Sequence, residues 1–151
     1  MAQAYPQLRI VGLDVWPAAL VLAAETTAVV RDRVELREGN IAQLGDEARY
    51  DAVFLPGPFL SGAAMSQALP AVWRALRPGG WVFAAIYAPS ADALAQALLD
   101  LRAVRAGGVP WRGPDLAERL RVEGFAGVEV VLPQGPLPAA MVVGQRVSSV
   151  A

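Results

Sequence analysis

Three kinds of side chain in this sequence stand where chemistry is done: a carboxylate, an amide and a set of aromatic rings. Asp14 closes the apolar run Val-Gly-Leu-Asp, with Val15 and Trp16 directly after it. A carboxylate ending a buried strand needs a partner. Placed there it can accept both hydroxyl protons of a ribose, or it can cap the helix that Pro17 opens. Gly39, Asn40 and Ile41 end the next run. Gly39 allows a tight turn, Asn40 offers a donor and an acceptor, and Ile41 adds an apolar contact. An adenine edge and face need that combination, and an ordinary Gly-Asn turn uses the same residues. Trp16 either stacks on such a ring or staples the following helix. Pro58, Phe59, Tyr87 and Trp111 can line an apolar, aromatic pocket for a small molecule, or serve as plain packing. Of these four only Tyr87 could pass a proton, through its phenol, which makes it the weak candidate for a catalytic group.

These residues must be positioned by strands and helices. Leu8–Asp14 is short, apolar and β-branched, which predicts a buried strand. Pro17–Val30 is rich in Ala and Leu and predicts a helix with proline in its first turn. Arg33–Arg37 and Tyr50–Leu55 read as two more strands, the second ended by Pro56-Gly57-Pro58. Ala63–Leu76 reads as a helix that Pro70 kinks or divides, and Arg77-Pro78-Gly79-Gly80 as a hard stop. Trp81–Tyr87 is a fourth strand. Ser90 is the expected N-cap of a helix over Ala91–Ala106, on which Leu94, Leu98 and Leu101 fall at helical spacing. Pro114–Glu123 is a further helix, closed by Gly124. Val128–Leu132 and Ala140–Arg146 are strands joined by a proline-rich connection. Strands alternating with helices imply crossover units and a parallel sheet. The expected fold is therefore α/β, a Rossmann-like doubly wound and mostly parallel sheet between two helical layers. Its last strand is antiparallel and inserted at the edge. In such sheets ligands bind outside the carboxyl ends of the strands, where Asp14, Asn40, Leu55 and Tyr87 stand.

Composition narrows the classes. The chain has 151 residues, 55% of them hydrophobic, with a net charge of −1. That fits a single folded domain over 1–151 and excludes a disordered chain. There is no cysteine and no histidine, which removes disulfides, the common zinc sites and any Ser-His or Cys-His pair; no metal is expected. The 13 basic residues are scattered among 14 acids, so no basic stripe for nucleic acid forms. No apolar run approaches the roughly 20 residues of a membrane helix, and no charged segment precedes an apolar one at the N-terminus. A cytoplasmic domain without nucleic-acid or membrane partners is expected.

The ordered set of Asp14 after one strand, Gly39-Asn40 after the next, Tyr50-Asp51-Ala52-Val53 opening a third and Leu76-Arg77-Pro78-Gly79-Gly80 leading into a fourth resembles the class I S-adenosylmethionine-dependent methyltransferases. The resemblance runs from about Tyr5 to Arg146. It implies that S-adenosylmethionine is the cofactor, with Asp14 on the ribose, Val15 and Trp16 beside it, and Gly39, Asn40 and Ile41 at the adenine. It also implies that Leu55 and Pro56 lie beside the methionine part, and that Asp51 and Arg77–Gly80 are structural. The acceptor would be a small molecule. Two departures stand out. The family's opening strand and glycine-rich loop are missing, which implies an N-terminally truncated domain. Its two inner strand edges would face a gap, filled by a second copy in a strand-exchanged homodimer or closed by pairing the strands that end at Asp14 and Leu55. The opening also resembles a subgroup of O-methyltransferases that use a histidine base, and this chain has none. The alternative is a non-catalytic, methyltransferase-like remnant kept for dimerisation or partner binding. Half of a nicotinamide-dependent oxidoreductase would also use Asp14 but has no place for Leu76–Gly80.

Overall fold

The computed structural model describes residues 4–133 and 139–147, so the proline-rich connection expected before the last strand lies largely outside the described residues. The chain separates into two compact units, residues 1–44 and 45–151. In the first, strand β1 (Ile10–Asp14) pairs in parallel with β2 (Val34–Glu38), from Ile10↔Val34 to Asp14↔Glu38. Parallel strands require a crossover. Helix α1 (Pro17–Thr26) provides it, with proline in the first turn as expected. The helix stops short of Val30. The Thr26 and Thr27 hydroxyls turn back onto the carbonyls of Leu22 and Ala23, each at 2.7 Å, and a separate 3-10 turn follows over Ala28–Val30. Such back-bonding competes with the helical ladder. None of the residues of α1 is buried.

The second unit carries four strands in the order β3-β4-β6-β5. They are β3 (Tyr50–Pro56), β4 (Leu76–Tyr87), β5 (Phe125–Val131) and β6 (Ala139–Arg146). β3 and β4 are parallel; β6 runs antiparallel to both β4 and β5. The last strand is thus antiparallel as expected, but it lies inside the sheet and β5 takes the edge. The direct closure expected between the strands ending at Asp14 and Leu55 is not formed: among the described residues β1 pairs with β2 alone and β3 with β4 alone. Arg77–Gly80 is not a stop ahead of the strand. Tyr50 faces Leu76 and Ala52 faces Trp81, so these four residues bulge opposite Asp51. Gly79 takes φ +82° there, and Arg77 Nη1 donates to Asp51 Oδ1 at 2.6 Å.

Helix α2 (Gly62–Ala75) runs unbroken through Pro70, capped by Ser61, whose Oγ accepts from the Ala64 N–H. Burial of Met65, Ala68, Leu69, Ala71, Val72 and Ala75 along one face holds both halves in line. This overrides the proline's local preference. Helix α3 (Ala93–Arg105) is capped by Asp92, which accepts from the Ala95 N–H at 2.7 Å. Ser90, expected in that role, instead accepts from the Asp92 N–H and supports the cap. Its apolar stripe is not core: Leu94, Leu98 and Leu101 are half or more exposed. Helix α4 (Gly113–Glu123) ends as expected at Gly124, which takes φ +102°. Together α2 and α4 cover one face of the sheet, where Leu55, Val82, Ala84, Ile86, Val142, Leu116 and Leu120 are buried. The opposite face shows Phe54, Trp81 and Phe83, with Phe54 58% exposed. Arg146, at the end of β6, locks this unit. It lies over the Trp73 ring, 4.0 Å from the centroid, and its Nη1 donates to the Arg74 and Leu76 carbonyls.

Candidate functional site

In the first unit the sequence candidates gather at the carboxyl ends of β1 and β2. Asp14 is exposed, and its Oδ1 accepts from the Trp16 N–H at 2.8 Å. The carboxylate therefore caps the turn into α1 with one oxygen and leaves Oδ2 without a hydrogen bond among the described residues. The Gly39 N–H donates to the Asp14 carbonyl at 3.0 Å, which sets Asn40 beside the end of β1. A side chain on Gly39 would press on Leu13. Asn40 Oδ1 is used locally, accepting from the Ala42 N–H at 2.9 Å and capping the 3-10 turn Ile41–Gln43. Its amide NH2 is left as a donor. Val15 and Trp16 are about two-thirds exposed, and Ile41 is half-buried. The unit presents a carboxylate oxygen, an amide donor and an exposed indole on one edge. That donor set fits a ribose and a purine.

In the second unit Leu55 is buried, Pro56 is exposed, and the 3-10 turn Gly57–Phe59 follows. The structure brings Tyr87 and Trp111 together in one cavity wall, which does not include Pro58 or Phe59. A cavity of about 260 Å³ opens at the ends of β4 and β5, lined by Ile86, Tyr87, Trp111, Arg112, Val130 and Leu132 among others. Pro58 is buried against Gly108, and Phe59 is 62% exposed, so neither lines it. Trp111 is buried, with the Arg119 guanidinium 5.0 Å from its ring centroid. Arg119 also donates to Ser66 Oγ at 2.8 Å, linking α4 to α2. The Trp111 indole N–H has no partner among the described residues. A buried donor left unpaired costs about 1–3 kcal/mol.

The rim of this cavity is tied by groups the sequence reading missed. Arg112 holds Asp100 on α3 through two bonds of 2.9 and 2.7 Å. Gln96 donates to the same carboxylate and accepts from the Ser90 N–H. The Arg112 hydrogen bonds hold the Asp100 carboxyl below its ordinary range, against a smaller opposing effect of burial. Asp100 and Arg112 are twelve positions apart on different elements, so no local spacing marks them. Leu132 was within reach, because it ends the predicted strand Val128–Leu132 just as Tyr87 ends its own.

The comparisons agree with this architecture. The sequence profile of a family described as a methyltransferase domain matches residues 1–82, more than half of the chain, and the chain belongs to that family. The demethylmenaquinone methyltransferase of Deinococcus radiodurans is 33% identical over 97 residues, covering 64% of this chain and 40% of that protein. The crystal structure of the S-adenosylmethionine-dependent methyltransferase SibL in its apo form superposes with a TM-score of 0.77 at 27% identity, covering 97% of this chain and 46% of that one. The mitomycin 7-O-methyltransferase MmcR shares the fold, with a TM-score of 0.81 at 19% identity over 96% of this chain and 44% of the other. The chain thus spans less than half the length of these relatives. The family is that of the class I methyltransferases, whose cofactor is S-adenosylmethionine. No described helix is long and apolar enough to cross a membrane.

Proposed function

We propose that this domain takes part in methyl transfer from S-adenosylmethionine to an uncharged small molecule. The observation that carries the reading is the exposed Asp14 carboxylate at the carboxyl end of β1, whose Oδ2 takes no hydrogen bond among the described residues, with Asn40 following the Gly39 that bonds to the same strand end. The bound cofactor supplies a methyl group already activated on a sulfonium, so the protein's part is alignment and exclusion of water. Asp14 would accept from the ribose hydroxyls, and Asn40 with Ile41 would meet the adenine. In the second unit, the half-open apolar cavity walled by Ile86, Trp111, Val130 and Leu132 would hold the acceptor. Tyr87 would be the one phenol in contact with it. Without histidine, an acceptor that reacts in its unprotonated form is the natural substrate.

Calorimetric titration with S-adenosylhomocysteine tests the reading. The chain is expected to bind it, and Asp14→Ala is expected to weaken binding about ten- to a hundredfold, the loss of one or two charge-assisted hydrogen bonds. A folded chain that shows no binding would refute the cofactor site and leave a non-catalytic domain.

A second copy is the proposed partner. Among the described residues β3 pairs on one side only, and its other ladder edge lies beside exposed Phe54 with Asp51 the strand's one charge, whereas natural edges are blunted by more. Two such edges pairing about a two-fold axis would make one continuous sheet. Sedimentation velocity should then show a dimer that Phe54→Lys dissociates; a monomer at tens of micromolar (about the usual working range for weak dimers) refutes it.

A further inference from the structure

Among the described residues the cavity wall contains one cation, Arg112, and it is already engaged. Both terminal nitrogens of Arg112 are held by the two oxygens of Asp100. Gln96 and the Ser90 N–H extend the chain of bonds back to the loop that follows β4. The rest of the lining named above is apolar or aromatic. A guanidinium paired in this bidentate way presents little net charge to a ligand. The same pair fixes Trp111 and Gly113 on either side of it, and Gly113 already packs tightly on Val130.

We propose that Asp100 is a specificity-determining residue: by occupying Arg112 it makes the cavity select uncharged acceptors and reject anionic ones. The inference rests on reading this cavity as the acceptor pocket. Removing the Asp100 charge would free the Arg112 fork at the wall, leaving Asp115 as its remaining acidic neighbour, and loosen the segment around Trp111. The preference would then shift toward anions by way of Arg112, which loosened packing alone would not bring about.

Two fluorescent probes of one skeleton separate the outcomes. N-phenyl-1-naphthylamine is neutral, and 8-anilinonaphthalene-1-sulfonate adds a sulfonate to it. Their dissociation constants are measured for the intact chain, for Asp100→Asn and for the double variant Asp100→Asn/Arg112→Gln. The intact chain is expected to prefer the neutral probe. Asp100→Asn should move the ratio of affinities about tenfold toward the sulfonate, and Arg112→Gln on that background should return it. An unchanged ratio in folded Asp100→Asn overturns the proposal. So does a shift that persists when Arg112 is removed, or an intact chain that binds neither probe saturably. Titration with S-adenosylhomocysteine in parallel reports on the methyltransferase reading separately. Loss of its binding in the intact chain, with the probe ratio still switching, would refute that reading and keep the selectivity.

Discussion

Gly108→Ala is expected to lower the stability of the second unit by about 3 kcal/mol or more, a fall in thermal midpoint on the order of 10 °C. A methyl group there would be driven into the Pro58 carbonyl, and behind it stand the Pro58 carbonyl carbon and the Phe59 nitrogen, 2.5 and 3.2 Å away. All three are backbone atoms, so no rotamer change can relieve the contact. Movement of the backbone is opposed from both sides. The Gly108 N–H donates to the Ala103 carbonyl at 2.9 Å, and Pro58 is buried in the turn that follows β3. The effect is checked by thermal melting followed by near-ultraviolet circular dichroism. Gly45→Ala serves as the control, since a methyl there meets nothing within 4 Å. A Gly108→Ala midpoint equal to that of Gly45→Ala would show that this approach of loop to turn is looser than described.

The second large effect is expected at Arg146. Replacing it with alanine removes a cation held 4.0 Å from the Trp73 ring centroid and a donor shared by the Arg74 and Leu76 carbonyls. The two losses differ in kind. Arg74 keeps a bond from the Ala48 N–H, whereas Leu76 is fully buried where α2 gives way to β4. Charge-assisted bonds contribute about 1.5–3 kcal/mol, and a partly desolvated cation–π contact about 1–2 kcal/mol. These contributions overlap, so Arg146→Ala should cost about 3 kcal/mol. Arg146→Lys should recover roughly half, because an ammonium can still donate but cannot stack as a plane. Urea unfolding of the three proteins measures the series. Equal midpoints for Arg146→Ala and Arg146→Lys would mean that the stacking, and not the donation, holds the joint.

Much of the fold was legible because its joints are punctuated. Pro17 opens α1, and Gly124 closes α4 in the left-handed conformation that glycine tolerates best. What the sequence could not show is set by long-range partners. Nothing within β6 says that it lies between β4 and β5, because strand order is decided by which edges meet. Pro70 reads as a breaker until the buried face on both sides of it is known. Leu94, Leu98 and Leu101 have the spacing of a core face, yet periodicity reports only that residues share a side. It does not report that something covers that side. The candidate site divides likewise. Asp14, Asn40, Tyr87 and Trp111 could be singled out because they stand at strand ends or on connecting segments. Asp100 and Arg112 look like ordinary solvated charges until folding brings α3 against the segment before α4. Pro58 and Phe59 show the converse, since neither lines the cavity that holds Tyr87 and Trp111. Both lie on the expected connection, but the close approach of Gly108 turns one inward as packing and leaves the other in solvent.

The interior position of β6 bears on how the protein is made. On the ribosome β3, β4 and β5 all emerge before it, and none of the pairings β4–β6 or β5–β6 can exist until residues 139–146 have cleared the exit tunnel. Until then β5 has no neighbour, and β4 has only one side satisfied. The four-stranded sheet therefore cannot be assembled stepwise from the N-terminus. It is completed only when β6 enters between β4 and β5, so one edge of each of those strands stays open to neighbouring chains until residues 139–146 have emerged.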